Sequence, residues 1–200
     1  HQAAAEAVEK KAAAIIVSKE VELPEQTETT LIRVEDTRYA LAFVSAAWFD
    51  HPAKKLTTIG ITGTKGKTTT TYLVKSILEN AGRKVGLVGT IEIIIGDTHI
   101  HAVNTTPESY LLQEYFAKMV ESGCDTVVME VSSQALMLHR TQGFVFDFGI
   151  FTNLEPDHIG PNEHGSFEEY AHCKSLLFQQ CRVGIANVDD VHWQLVTKEH

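Results

Sequence analysis

Apolar residues along this chain recur at two spacings, and the switches between them predict the order of its elements. Residues 3–11 read as an Ala/Glu/Lys helix and residues 13–17 as an apolar strand. A Pro/Glu/Thr-rich loop over 23–29 leads to a second strand at 30–34. From Thr37 to about Asp50 the apolar positions return at helical spacing through Leu41, Val44 and Trp48, and His51-Pro52 stops the run. Trp48 and Phe49 read as packing residues. Residues 56–62 are short, apolar and β-branched, the mark of a buried strand, and they break into a Gly/Thr/Lys loop. Lys67 then opens a helix with Leu73, Val74, Ile77, Leu78 and Ala81 on one face, ending before Gly82.

Further on, residues 85–88 read as a second buried strand, and 91–95 and 98–103 as a hairpin about Gly96-Asp97. The next helix is predicted to begin with Thr106 as N-cap and Pro107 at the first helical position. Its core stripe is Leu111, Leu112, Tyr115, Phe116, Met119 and Val120, and Gly123 ends it. Strands follow at 125–131 and 146–152. A helix over 166–180 then carries Phe167, Tyr170, Leu176, Leu177 and Phe178, with Lys174 read on pattern alone as exposed. A strand at 183–186 leads into an incomplete helical end. Strands alternate with helices, so the fold class is α/β, a mostly parallel sheet flanked by helices. Polar residues and a proline at 50–55 place a boundary that divides a smaller partial α/β domain, 1–53, from a second partial domain, 54–200.

Composition narrows the classes. With 44% hydrophobic and 22% charged residues the chain is ordinary for a soluble domain with a core of its own. A net charge of −9 and the lack of a Lys/Arg cluster argue against nucleic acid as a partner. Three cysteines, Cys124, Cys173 and Cys181, have neither disulfide-framework nor zinc-ligand spacing, which suits a reducing, cytoplasmic setting. No apolar run reaches membrane-spanning length. The first residue is His1 rather than methionine, and the opening helix and strand resemble the middle of a domain, so a fragment is expected.

The chemistry centres on Gly63, Thr64, Lys65, Gly66, Lys67, Thr68 and Thr69, a P-loop between strand and helix. Glycines let backbone N–H groups approach anionic oxygens, and the helix N-terminus adds a positive dipole end. Lys67 supplies a point charge for phosphates, and the hydroxyl of Thr68 or Thr69 suits Mg²⁺. The usual spacing has a glycine where this chain has Ile61, so the loop is a variant. Glu130 ends a buried strand, where ligands collect in parallel sheets, and either metal ligation or a buried ion pair would explain it. Asp157-His158 follows another strand end and could supply a carboxylate and an imidazole. Asn104 has no role in capping a helix.

Several segments, taken in order, resemble the Mur ligase family and within it the MurE branch. They are residues 60–70, Asn104-Thr105-Thr106-Pro107-Glu108, Glu130-Val131-Ser132-Ser133, His139-Arg140, Phe151-Thr152-Asn153-Leu154, Asp157-His158, Lys174 and Asn187-Val188-Asp189-Asp190. The resemblance spans nearly the whole chain. It implies that the loop from Gly63 to Thr69 holds ATP, with Lys67 on the phosphates. Thr68, Glu130, His158 and Lys174 would then serve as Mg²⁺ ligands, Lys174 as a carbamate. Lys67, Lys174 and His158 would be catalytic, and Asn104, Thr105, Thr106, Ser132 and Arg140 would contact the muramoyl-peptide substrate. It also implies that 1–53 is part of a UDP-substrate-binding domain and 54–200 part of the central ATP-binding domain, with a C-terminal amino-acid-binding domain absent. The chain departs from the family at Gln134-Ala135 and Leu138. It also departs over 159–165, so His164 receives no role.

The implied reaction joins an amino acid, meso-diaminopimelate or L-lysine, to UDP-N-acetylmuramoyl-L-alanyl-D-glutamate through an acyl phosphate, in peptidoglycan synthesis. The piece alone is expected to be inactive, and the protein monomeric. Folylpolyglutamate and cyanophycin synthetases share the ATP loop, but Asn-Thr-Thr-Pro and Glu-Val-Ser-Ser favour the muramoyl branch. MurT-type amidotransferase subunits are expected to carry a cysteine-rich insertion that this chain lacks. A non-catalytic nucleotide-binding module has no need of Lys67, Glu130, His158 and Lys174 together.

Overall fold

The computed structural model describes residues 3–23, 27–157, 159–160 and 164–198. Its strands are β1 (Ala14–Val17), β2 (Thr30–Arg33), β3 (Thr57–Thr62), β4 (Val85–Val88), β5 (Glu92–Ile95), β6 (Thr98–His101), β7 (Thr126–Glu130), β8 (Phe146–Phe151) and β9 (Cys181–Ala186). The helices are α1 (Ala4–Glu9), α2 (Thr37–Trp48), α3 (Lys67–Asn80), α4 (Ser109–Glu121), α5 (Ser133–Met137), α6 (Phe167–Gln179) and α7 (Trp193–Thr197). β1 and β2 pair in parallel as a separate two-stranded sheet.

The other seven strands form one sheet in the order β6-β5-β4-β7-β3-β8-β9. It is parallel from β4 to β9, and the β5-β6 hairpin adds an antiparallel edge. Its inner parallel strands β3, β4 and β7 are buried on both faces because helices cover both, whereas Val183 and Ile185 of the edge strand β9 are exposed. Ile59, Ile61, Val85 and Val128 pack under Val74 and Leu78 of α3. On the other face Val127, Met129, Phe146 and Phe151 meet Leu112, Phe116 and Met119 of α4 and Leu177 and Phe178 of α6. Val127 and Val128 thus point to opposite layers, as the two-residue period of a strand requires. Among the described residues no helix is long and apolar enough to cross a membrane.

Three expectations fail for identifiable reasons. Trp48 is 75% exposed and Leu41 and Val44 are also exposed, because α2 turns its small residues Ala42, Ser45 and Ala46 inward. Small side chains let α2 lie close to α4 and to Gly143, where an added Cβ would come within 2.7 Å of the Ala42 oxygen. On α3, Leu73 and Ile77 are exposed; the buried stripe is Thr71, with Val74 and Leu78 half-buried beside it. Thr106 is not a helix cap. The helix begins at Ser109, Glu108 occupies the cap position without a side-chain bond, and the Thr106 hydroxyl is buried in the site described next.

Candidate active site at the carboxyl ends of the strands

Register brings the site together. Ile61 lies beside Glu130 on one side and Ile150 on the other, and Phe151 pairs with Thr62 and Ala186, so β3, β7, β8 and β9 end at one edge. Ile61 is fully buried within the ladder and its side chain fills the core, which leaves no place for a glycine turn at that position. The strand continues to Thr62 and the turn falls at Gly63, with φ +152°, where a Cβ would stand 2.0 Å from the Thr152 hydroxyl. Gly66, at φ +79°, caps α3.

The loop is tied to the end of β8. Thr64 N donates to the Asn153 carbonyl (2.9 Å) and Lys65 N to Asn153 Oδ1 (2.9 Å). Asn153 Nδ2 (3.0 Å) and Thr152 Oγ1 (2.9 Å) donate in return to the Lys65 carbonyl. Asn187 Nδ2 holds the Thr152 carbonyl at 2.9 Å and Asp190 accepts from Leu154 N at 3.0 Å. The Thr152-Asn153-Leu154 and Asn187 to Asp190 segments therefore act as braces for the phosphate loop.

Two lysines lie against this loop. Lys67 Nζ donates to the carbonyls of Gly63 (2.9 Å) and Thr64 (3.2 Å), and burial lowers its pKa against the opposing pull of Glu130 and Asp157. Lys174 is 1% exposed, not the surface residue its helix position predicts. Its Nζ donates to the same Gly63 carbonyl at 2.9 Å and lies 4.4 Å from the Tyr170 ring centre. Burial first, and the charge of Lys67 second, bring its pKa down to about 7. The Tyr170 hydroxyl reaches Thr64 Oγ1 at 3.1 Å.

Glu130 is 1% exposed and accepts only from uncharged donors among the described residues: Thr68 Oγ1 (3.0 Å), Thr90 N (2.9 Å) and Thr90 Oγ1 (3.1 Å). No ion pair to it is formed there, so the buried-pair explanation of this acid falls away. A buried carboxylate held by hydroxyls beside a phosphate loop fits a divalent cation. Thr68, not the exposed Thr69, faces it. His158 lies outside the described residues.

A cavity of about 270 Å³ opens beside Lys67, and Asn104, Thr105, Thr106, Ser132 and Arg140 all line it. Thr106 Oγ1 donates to the Glu130 carbonyl (2.9 Å) and accepts from Ser132 N (3.1 Å), joining two of the predicted segments. Ser132 caps α5 through Ala135 N. Arg140 donates to the Thr106 carbonyl (3.1 Å) and pairs with Glu108 (2.7 Å), which also meets Arg38 (3.4 Å). Gln134 and His164 line the cavity too, and neither had an assigned role. His164 is 2% exposed, with Nε2 2.8 Å from Ser133 Oγ. Its only signal in the sequence was its place next to Gly165 and the Ser166 cap of α6.

Residues 61–200 match a family model described as the Mur ligase middle domain. A UDP-N-acetylmuramoyl-L-alanyl-D-glutamate--2,6-diaminopimelate ligase of Clostridium perfringens (strain 13 / Type A) is 46% identical over 199 residues, covering 100% of this chain and 40% of the relative. A solved structure of a ligase of that name is similar with a TM-score of 0.79 and 25% identity, over 93% of this chain and 37% of that one. A Mycobacterium tuberculosis folylpolyglutamate synthase complexed with ADP shares the fold, with a TM-score of 0.63 and 14% identity over 82% of this chain and 44% of its own. The chain spans about 40% of the length of the curated relatives it matches.

Proposed function

Because this chain belongs to the Mur ligase family, we propose that it forms part of an ATP-dependent ligase that joins an amino acid to UDP-N-acetylmuramoyl-L-alanyl-D-glutamate. The diaminopimelate-adding relatives favour meso-diaminopimelate over L-lysine as that amino acid. In this reading residues 1–53 belong to the UDP-substrate domain and 54–200 to the ATP-binding domain, and the protein acts in the cytoplasm as a monomer. One observation carries the proposal: the phosphate loop, the Thr68–Glu130 pair and a cavity lined by all five residues expected to hold the muramoyl peptide share one strand-end edge.

A carboxylate is a poor electrophile, so it must be activated before an amine can attack it. An oxygen of the D-glutamate side chain bonds to the γ-phosphorus of ATP and the bond to ADP breaks. The amine then attacks the acyl carbon, loses a proton, and phosphate leaves. This chain's part is positioning and charge neutralisation. Amides of the Gly63 to Thr69 loop and Lys67 hold the phosphates, and Lys67 leaves the carbonyls of Gly63 and Thr64 to do so. Thr68 and Glu130, with His158, would hold Mg²⁺, which neutralises phosphate charge when bound. Arg140, fixed by Glu108 and the Thr106 carbonyl, orients the anionic peptide at the cavity with Asn104, Thr105 and Ser132. The lowered pKa of Lys174 supports its role as a neutral amine that captures CO₂ and becomes a carboxylate-like ligand.

Calorimetry with UDP-N-acetylmuramoyl-L-alanyl-D-glutamate, against the form lacking D-glutamate and against a folate, tests the proposal. Selective binding of the dipeptide form is expected. A full-length protein that hydrolyses ATP yet binds none of the muramoyl ligands would overturn it in favour of the folate or polymer-forming relatives.

A further inference from the structure

A second polar cavity, of about 290 Å³, lies at the opposite end of the sheet, where β3, β8 and β9 begin. A six-residue strand separates that end from the phosphate loop by roughly 20 Å. Gln113 of α4 lines this cavity. It is 1% exposed, and its Oε1 has no hydrogen-bond partner among the described residues. An acceptor buried without a donor is destabilised, so a bound group that donates to it would be stabilised. Around it stand His51, Lys54 and Arg182. His51 reaches the rim through two consecutive non-glycine residues in the left-handed region, Asp50 at φ +57° and His51 at φ +49°.

Asp147, the one carboxylate in the wall among the described residues, is already occupied. Its Oδ2 accepts from Thr58 N (2.9 Å) and Thr58 Oγ1 (3.2 Å), and its Oδ1 lies 3.4 Å from Arg182 Nε. That pairing uses Nε and leaves the terminal guanidinium nitrogens their donors. Two cations against one satisfied acid make an anion the favoured guest, and the Gln113 oxygen asks that the anion also carry a proton to donate. The geometry points to a second ligand site here for a protonated phosphate group, free hydrogen phosphate or a phosphate monoester, with its anionic oxygens on Arg182 and Lys54 and its P–OH on Gln113 Oε1. This site stands apart from the ATP loop and does not depend on the reaction proposed above.

Sulfate has the shape and charge of phosphate but no proton to donate at neutral pH, so the pair isolates the Gln113 contact. The test is an NMR titration that follows the Gln113 side-chain amide and Arg182 Nε–H, with inorganic phosphate, glycerol 2-phosphate and sulfate as probes. Saturable shifts are expected with inorganic phosphate at neutral pH and with glycerol 2-phosphate at about pH 5.5, where the ester keeps the proton it has mostly lost at about pH 7, and the tighter of the two identifies the source. Sulfate should bind at least about tenfold more weakly, and Arg182→Gln, a change at an exposed side chain, should weaken phosphate by at least about tenfold. Lys67→Ala should leave these shifts unchanged, which separates the site from the phosphate loop. Signals unmoved up to roughly 50 mM phosphate, equal response to sulfate, or full binding by Arg182→Gln would each overturn the proposal.

Discussion

Lys67 and Lys174 place their amino groups on one acceptor, each Nζ lying 2.9 Å from the carbonyl oxygen of Gly63. Two ammonium groups this close repel, and the more deeply buried lysine yields its proton. Lys174 is expected to be about half protonated near pH 7. Removing the neighbouring cation in Lys67→Ala should raise that value, as read from the side-chain ¹⁵N shift of Lys174 against pH. A titration near the usual lysine range in the unaltered protein would contradict the assignment.

The same shift has a consequence for stability. The folded value of about 7 lies below the ordinary 10.5, so between them the unfolded chain binds more protons and stability rises with pH. Below the folded value both states are protonated and the penalty is constant. Lys174→Met should therefore raise the melting temperature more at about pH 6.5 than at about pH 10, by roughly 2–4 °C for each kcal/mol recovered.

Gly63 and Gly66 should respond differently to alanine. At Gly63 the new methyl would lie 2.0 Å from Thr152 Oγ1, next to the backbone of Asn153, and the loop must leave β8. At Gly66 nothing among the described residues lies within 4 Å of the new methyl, and only the left-handed backbone is strained, by about 1–2 kcal/mol. Thermal melts and ATP binding by calorimetry should show Gly63→Ala losing both, with Gly66→Ala mildly destabilised. Equal effects would refute this account of the loop.

Glu130→Gln keeps the shape of the buried side chain. Threonine hydroxyls accept as well as donate, so Thr68 and Thr90 can rotate to suit the amide, and the melting temperature should change little. Loss of the charge should abolish the gain in ATP affinity that Mg²⁺ provides. In the full-length protein turnover should fall by about 100-fold or more, as for removal of one preorganised electrostatic group.

Thr106→Val removes the hydroxyl that joins the Glu130 carbonyl to Ser132 N, leaving a partly buried N–H unpaired at a cost of about 1 kcal/mol, the low end for an unpaired buried donor. Thr106→Ser keeps the hydroxyl and should recover most of that loss. Chemical denaturation of the two variants measures the difference, and muramoyl-ligand affinity should follow the same order.

Local pattern was enough for every strand of the sheet and for the helices that cover it, because period and turn residues are properties of neighbouring positions. The places of Lys67, in a loop after a buried strand, and of Glu130, at a strand's end, were legible for the same reason. Tertiary structure alone decided which side chains meet. The register of β3 with β7 and β8 brings Glu130 to Thr68 and Thr152 to Gly63 across separations of 62 and 89 residues, and no local signal encodes such distances. Burial of Lys174, exposure of Trp48, and the use of Thr106 as a strut rather than a cap followed from it. Each depends on what the rest of the chain packs against that residue, and the same amino acid in the same local pattern would serve equally well on the surface.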